Sequence, residues 1–189
     1  MLTLLDLSLF QCNLTFIDAN CYNYEPRTPN KMKMLQQIIS GGQTGVDRGA
    51  LSASLDSDFP CGGYCPQGRL AEDGIIPAKY PLIELPTKDY LPRTIKNLQI
   101  SDGTVIIYFD YLEGGTQKTL LHCIEESKPY KLIDATVVSV ELSSQLILDF
   151  CDRYQIKLLN VAGPRQSKYP ESFDYSYRSI KGVISALNK

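Results

Sequence analysis

The architecture of this chain is best inferred from one stretch, Ile38-Ile39-Ser40-Gly41-Gly42-Gln43-Thr44-Gly45-Val46-Asp47-Arg48-Gly49. Apolar residues that suit a buried strand run into a glycine-rich turn, and the turn leads directly into an amphipathic segment. Strand, glycine turn and helix in this order are typical of a parallel α/β sheet. The turn matches neither the dinucleotide pattern G-x-G-x-x-G nor the phosphate loop that ends in Gly-Lys-Ser/Thr. A purely structural turn therefore stays open as an alternative.

The same turn predicts an anion site. Glycines let the chain turn tightly and leave the backbone open to a ligand. The first N–H groups of the following helix have no partner inside the helix, and the helix dipole favours negative charge there.

Composition and charge are ordinary for a globular protein. The 189 residues suffice for one domain with a substantial core, and 43% are apolar. A net charge of −2 gives no general affinity for nucleic acid or membranes. No apolar run approaches the ~20 residues that span a bilayer, and the amino terminus lacks the positive start of a secretory signal. We therefore expect a cytoplasmic protein that binds neither nucleic acid nor a membrane.

Cysteine and histidine do not suggest a metal site. The chain has six cysteines, which we expect to be free thiols in the cytosol. Cys61 and Cys65 lie close together, but no second pair accompanies them, and His122 is the only histidine.

Short apolar runs alternate with helical patterns along most of the chain, which predicts a three-layer α/β fold: a parallel sheet with helices on both faces. We expect a single Rossmann-like ligand-binding domain over residues 34–189 and an extension without regular pattern over residues 1–33. The candidate strands are Gln37–Ser40, Pro81–Leu85, Thr104–Phe109, Lys131–Ala135 and Lys157–Ala162. The candidate helices are Val46–Leu55, Arg93–Ile100, Gln117–Ser127, Ser143–Tyr154 and Tyr175–Leu187.

Two further glycine loops follow predicted strands, one around Gly114-Gly115-Thr116 and one at Gly163-Pro164-Arg165. Loops at the carboxyl ends of parallel strands share one edge and line the ligand crevice. Three such loops predict a phosphate-bearing, anionic small-molecule ligand. The candidate binding residues are Gly41, Gly42, Gln43, Thr44, Gly45, Asp47, Arg48, Arg69, Gly114, Gly115, Thr116, Thr119, Gly163, Pro164, Arg165 and Ser167.

Each polar candidate also has a structural interpretation. Arginine forks bind phosphate with two hydrogen bonds, but Arg48, Arg69 and Arg165 could equally pair with nearby carboxylates, and Thr116 could cap its helix. The long segment 62–74 is a binding loop or lid, or else a surface connection.

Catalytic groups are scarce. His122 lies within an apolar helical pattern, and no G-x-S-x-G, HExxH or Cys/His arrangement is present. The acid–base candidates are Asp47, Glu72, Asp73 and Asp102, and only geometry could assign them a role. We assign no catalytic residue and expect a binding protein rather than an enzyme.

Several ordered blocks between about Leu35 and Lys189 resemble the putative molybdenum carrier family, a circularly permuted, YpsA-like branch of the SLOG superfamily. The blocks are Ser40–Leu51, Gly62–Gly74, Arg93-Thr94 with Asn97, Ser101–Thr104, Gly114-Gly115-Thr116 with Thr119, and Asn160–Arg165. The resemblance implies a permuted Rossmann-like domain, in which the strand before Gly163 opens the sheet of most relatives but comes late here.

The resemblance also implies a function. Family members are expected to bind and protect molybdenum cofactor (molybdopterin), a flat anionic pterin with a phosphate, and to transfer it to a molybdoenzyme or cofactor-insertion partner. They are expected to form homo-oligomers.

Two other functions stay open, a nucleotide-processing hydrolase and a sensor of nucleotide-derived ligands. Relatives of the "lonely guy" phosphoribohydrolase type have a Gly-Gly-x-Gly-Thr loop followed closely by Glu. Here Gly114-Gly115-Thr116 lacks the intervening glycine and Thr119 is followed by Leu120, which argues against that activity.

Overall fold

A computed structural model of the chain describes residues 35–189, and the extension predicted for residues 1–33 lies outside them. The strands in chain order are β1 Gln37–Ile39, β2 Cys61–Gly62, β3 Tyr64–Cys65, β4 Leu70–Ala71, β5 Gly74–Ile75, β6 Ile83–Glu84, β7 Gly103–Tyr108, β8 Tyr130–Asp134 and β9 Leu158–Ala162. The helices are α1 Val46–Leu55, α2 Tyr90–Ile100, α3 Gly114–Glu125, α4 Val140–Arg153 and α5 Ser172–Leu187.

The central sheet has five parallel strands in the order β2-β1-β9-β7-β8. Helices cover both of its faces, which explains why its strands are apolar on both sides. Val105 and Ile107 of β7 pack in the core shared with α1, α4 and α5. Ile106 between them packs on the opposite face, with Leu98 of α2 and Cys123 of α3. The predicted three-layer α/β fold is confirmed.

Small residues allow close packing of the helices on one face. The α1 residue Gly49 lies against α5, where a Cβ would come within 2.5 Å of the Phe173 carbonyl oxygen. Ser176 of α5 donates a hydrogen bond to the Val46 carbonyl at 2.9 Å. These contacts bring the two helices close together and hold α1 in place over the sheet.

The strand order explains where a ligand crevice should lie. β9 lies at the centre of the sheet although it is the last strand of the chain. If β9 is counted as strand 1, the sheet has the Rossmann order 3-2-1-4-5. The strands are added to one side of β9 and then to the other, so the topological switch point lies between β9 and β7. Loops after these two strands diverge to opposite faces and leave a crevice at their carboxyl ends.

Several predicted elements differ in extent. Four helices, α2 to α5, begin three residues earlier than predicted. The first turn of α3 contains two glycines, which predict a turn rather than a helix. Helix α4 begins directly after Ser139, which caps it by accepting a hydrogen bond from the Leu142 N–H at 3.2 Å. The strand predicted at Pro81–Leu85 is not part of the central sheet. It shortens to Ile83–Glu84 and pairs with β3.

The edge strand of the central sheet is instead β2, which pairs with β1 through Ile38 and Cys61. Two residues are too few to leave a recognisable pattern, so this strand was not predicted. Among the described residues, no helix has the length and apolar character needed to cross a membrane.

Candidate functional site

A cavity of about 470 Å³ lies at the carboxyl ends of β1, β9 and β7, where the strand order predicts the crevice. Its walls come from the turn after β1, from α2, and from the loops after β7 and β9. The volume falls in the usual range for small-molecule sites, roughly 300–1,000 Å³.

All three glycine loops reach this cavity. The candidate residues that line it are Gly41, Gln43, Asp47, Gly114, Gly115, Thr116, Thr119, Gly163, Pro164 and Arg165. The other candidates, Gly42, Thr44, Gly45, Arg48, Arg69 and Ser167, are not among its lining residues.

Arg48 is occupied by protein groups. Its two terminal nitrogens bond the Asp73 carboxylate at 2.5 and 2.7 Å, and its Nε donates to the Gly42 carbonyl at 3.0 Å. The hydrogen bond from Arg48 holds the pKa of Asp73 below its ordinary value. For Arg48 the structure therefore favours the alternative of a local ion pair.

Arg69 is occupied in a different way, by backbone carbonyls. It donates hydrogen bonds of 2.8 to 3.2 Å to the carbonyl oxygens of Ile76, Pro77, Tyr80 and Leu82. The guanidinium thereby organises the segment between β5 and β6 and does not face the cavity.

Thr44 and Ser167 meet at Glu72, in the turn between β4 and β5. Both hydroxyls donate to the Glu72 carboxylate, the Ser167 N–H donates at 3.1 Å, and Arg165 Nε lies 3.7 Å away. Burial by itself would raise the pKa of Glu72, but the hydrogen bonds from Ser167 and Thr44 outweigh it and lower the pKa. Glu72 thus ties segment 62–74 to the loops after β1 and β9.

The glycines of the first turn are required by packing. A Cβ at Gly41 would overlap the Arg93 guanidinium, and Gly45 has a φ of 75° with Pro164 against it. Several amides of this turn also have acceptors in the protein: the Gln43 N–H donates to Asp47 Oδ2 at 3.2 Å, the Thr44 N–H to Gln43 Oε1 at 3.0 Å, and the Val46 N–H to the Pro164 carbonyl at 3.2 Å. The N–H groups of Gly41 and Asp47 have no acceptor among residues 35–189, so only part of this turn is left to hold an anion.

The amino terminus of α3 is different. The N–H groups of Gly114, Gly115 and Thr116 have no acceptor among residues 35–189. A Cβ at Gly114 or Gly115 would meet nothing within 4 Å, so packing does not explain the glycine at position 115. Lys118 and Lys168 line the same part of the cavity, and Lys168 pairs with Glu113, the residue that precedes α3. Open amides, a helix dipole and nearby lysines are features that favour an anion at this end of the cavity.

Arg93, which was not among the candidate residues, faces the first turn from α2. Its Nη1 donates to Asp47 Oδ2 at 2.7 Å, while its Nε is buried without a partner in the described structure. Arg93 belonged to one of the blocks that carry the family resemblance, and that was the only available signal. Its pairing with Asp47, 46 residues away, depends on the fold.

Aromatic side chains form another wall that was not predicted. Phe109 and Tyr169 stack with their ring centres 4.9 Å apart, and the Arg165 guanidinium lies 6.0 Å from the ring of Tyr90. All four side chains line the cavity. Flat apolar surfaces of this kind suit a planar ring, and the cation over Tyr90 adds positive potential beside them.

The remaining acid–base candidates lie elsewhere. Asp102 Oδ2 accepts hydrogen bonds from the Lys157 and Leu158 N–H groups at 2.9 and 2.8 Å, at the amino end of β9 and so at the edge of the sheet away from the cavity. His122 pairs with Glu125 on α3 at 3.0 Å. Among residues 35–189, no cluster of three His, Cys, Asp or Glu side chains is arranged to hold a metal ion.

The sheet order and the position of the cavity define a Rossmann-like domain whose first strand has moved towards the carboxyl end of the chain. The model of the circularly permutated YpsA SLOG family matches residues 38–184, and the chain belongs to this family. It is also similar to a solved crystal structure, the "Putative molybdenum carrier protein" from Syntrophus aciditrophicus SB. The two are 41% identical with a TM-score of 0.77, over 79% of this chain and 95% of the other. No curated protein matches the chain.

Proposed function

We propose that this protein binds molybdenum cofactor, or a closely related phosphate-bearing pterin or nucleotide, in the cavity and protects and transfers it without chemical change. The observation that carries the proposal is the amino terminus of α3. Three amides without acceptors, Gly114 to Thr116, face a cavity that Lys118 and Lys168 also line. A phosphate monoester supplies the negative charge and the acceptor oxygens that this arrangement lacks.

The other walls support the same ligand class. The stacked pair Phe109 and Tyr169 offers an apolar face to a planar ring. Arg165 lies at the rim with 48% of its side chain exposed, where it can contact a second anionic group. The name of the similar crystal structure, a putative molybdenum carrier protein, is consistent with this ligand.

Transfer requires a receiver, which we propose to be a molybdoenzyme or a cofactor-insertion protein. Assembly into homo-oligomers and residence in the cytoplasm likewise remain predictions. Neither is needed for the binding step itself.

Asp47 favours a second candidate function, hydrolysis of a nucleotide. It is the one predicted acid among the cavity-lining residues, and its pairing with Arg93 holds the carboxylate in place. Incubation with a set of nucleoside monophosphates, followed by detection of free base and free phosphate, tests this candidate. Absence of turnover would exclude it.

The test of the carrier function uses the purified protein under anaerobic conditions. After incubation with molybdenum cofactor and gel filtration, we expect about one molybdenum and one pterin per chain, measured by elemental analysis and by pterin fluorescence. Gly115→Glu introduces a carboxylate into open space at the anion-binding end, and should abolish retention.

The control, Val137→Glu, adds the same charge at a side chain that is 79% exposed and away from the cavity. It should retain the cofactor like the wild type. Equal retention by Gly115→Glu would contradict the proposed site, and no retention by the wild type would contradict the function.

A further inference from the structure

One end of the cavity carries hydrogen-bonding groups that the phosphate does not explain. The side chain of Gln43 lines the cavity and is 6% exposed. Its Oε1 accepts from the Thr44 N–H at 3.0 Å and from the Glu72 N–H at 2.9 Å, which fixes the orientation of the amide. Its Nε2 is therefore a donor, and it has no partner among the described residues.

Asp47 adds a free hydrogen-bond acceptor to the same end of the cavity. It lines the cavity and is 4% exposed. Its Oδ2 already accepts from the Gln43 N–H at 3.2 Å and from Arg93 Nη1 at 2.7 Å. No group in the described residues donates to Oδ1, so both of its lone pairs remain available. Arg93 Nε is a further buried donor without a partner.

Two donors and one carboxylate oxygen thus have no partner among the described residues. They belong to three cavity-lining residues that are in contact, since Asp47 Oδ2 accepts from both the Gln43 N–H and Arg93 Nη1. The donors, Gln43 Nε2 and Arg93 Nε, suit a carbonyl oxygen, which has two lone pairs. The Asp47 oxygen suits a ring N–H and an exocyclic amino group, since a carboxylate accepts but does not donate. A ring that offers a carbonyl, a ring N–H and an amino group in sequence along one edge would pair with all of them.

We infer that Asp47 and Gln43 recognise the 2-amino-4-oxopyrimidine edge of the ligand, the edge that pterins share with guanine. The inference rests on the proposed function, because the phosphate at α3 orients the ring towards this end of the cavity. Adenine presents an acceptor where Asp47 needs a donor, and an amino group where Gln43 needs an acceptor. Hypoxanthine lacks only the 2-amino group.

Titration calorimetry with the wild-type protein tests the inference without any substitution. The probes are neopterin monophosphate, GMP, IMP and AMP, together with neopterin and guanosine. We expect neopterin monophosphate and GMP to bind about 10- to 100-fold more tightly than AMP, with IMP in between, as two lost hydrogen bonds to charged or buried groups predict. Tighter binding of neopterin monophosphate would identify the ligand as a pterin, and tighter binding of GMP would identify it as a guanine nucleotide.

The outcomes separate this inference from the proposed function. Equal affinity for AMP and GMP would overturn the recognition of the edge and leave phosphate binding intact. Equal affinity for guanosine and GMP, with AMP weak, would support the edge and contradict the phosphate site at α3. Absence of binding by every probe would overturn both.

A matched pair of variants tests the role of Gln43 directly. Gln43→Glu keeps an oxygen for the Thr44 and Glu72 amides but replaces the free donor with an acceptor. We expect GMP binding to weaken by about tenfold or more and AMP to lose its disadvantage. Gln67→Glu makes the same change at an exposed residue outside the cavity and should behave as the wild type.

Asp47→Asn should likewise reduce the preference for GMP over AMP. Because this variant also breaks the ion pair with Arg93, its folding is checked by circular dichroism. Unchanged selectivity in a folded Gln43→Glu protein would contradict the inference, whatever the fate of the Asp47 variant.

Discussion

Three arginines that looked equivalent in the sequence have different roles. Arg165 reaches the cavity, Arg48 pairs with Asp73, and Arg69 binds backbone carbonyls. The sequence could predict that an arginine beside a glycine loop contacts a ligand. It could not distinguish these three, because Asp73, the partner of Arg48, lies 25 residues away, and the carbonyls that bind Arg69 converge only when the segment 76–82 folds.

Replacing Arg165 should weaken ligand binding without affecting the fold. Its side chain is 48% exposed, and its contacts are a 3.7 Å ion pair with Glu72 and a 6.0 Å approach to the ring of Tyr90, so little stability depends on it. We expect Arg165→Ala to weaken binding of neopterin monophosphate by about tenfold, the effect of one charge-assisted contact, as measured by calorimetry.

Arg178→Ala is the matched control, since this arginine pairs with Asp174 on α5 and does not line the cavity. It should bind the ligand normally. Equal affinities for the two variants would show that Arg165 does not contact the ligand.

Replacing Arg69 should have the opposite effect: it should lower stability and leave ligand binding unchanged. Arg69→Met leaves four backbone carbonyls without their donor. We expect a loss of roughly 2 kcal/mol or more in the free energy of unfolding, measured by urea denaturation, because buried acceptors lose their partners. Ligand affinity of the folded fraction should stay unchanged. A stable Arg69→Met protein that binds weakly would instead place Arg69 in the site.

Glu72 should make stability depend on pH. Its pKa is lowered in the folded state from the ordinary 4.5, because the hydrogen bonds from Ser167 and Thr44 outweigh burial. Its stabilising contribution is therefore fully present above the unfolded pKa and is lost as the pH falls through the folded pKa. In urea denaturation, the wild type should be more stable than Glu72→Gln at pH 7, and the difference should shrink below about pH 4. A difference that grew on acidification would contradict this.

At the scale of the elements, the sequence could not show which of the two glycine-rich turns, the one before α1 or the one at the start of α3, is the better anion site. Both turns have the composition of an anion site, but at α1 the Thr44 and Val46 amides have acceptors within the protein, whereas the first three amides of α3 have none among residues 35–189. The decisive partner, the Pro164 carbonyl against Val46, comes from a loop more than 100 residues away. The existence of α1, with its predicted bounds Val46–Leu55, and of the long strands β7 and β9 could be predicted, because their apolar patterns are local.

The glycines themselves provide a prediction about helix packing. Gly49→Ala places a methyl group 2.5 Å from the Phe173 carbonyl, so α1 and α5 must separate. We expect a destabilisation of about 1–3 kcal/mol in chemical denaturation.

Gly115→Ala makes the same substitution within α3, where the added methyl meets nothing within 4 Å. It should be neutral or slightly stabilising, since alanine restricts the unfolded chain. Similar losses at both positions would show that the contact between α1 and α5 is not responsible.

For the molecule as a whole, the central position of β9 determines where the site lies. The alternation of strands and helices could predict a parallel sheet, and the family resemblance implied the permuted order. The pattern of residues alone could not place β9 between β1 and β7, because each strand pairs with partners distant in the chain. The aromatic wall and Arg93 were missed for the same reason, since they become neighbours only in the folded protein.

The most direct test of the proposed binding site is a crystal structure of the protein loaded anaerobically with molybdenum cofactor, with molybdenum located by its anomalous scattering. We expect the phosphate at about 3 Å from the amide nitrogens of Gly114, Gly115 and Thr116, and the pterin ring in the same cavity. Cofactor bound on another surface, or a phosphate held away from the start of α3, would contradict it.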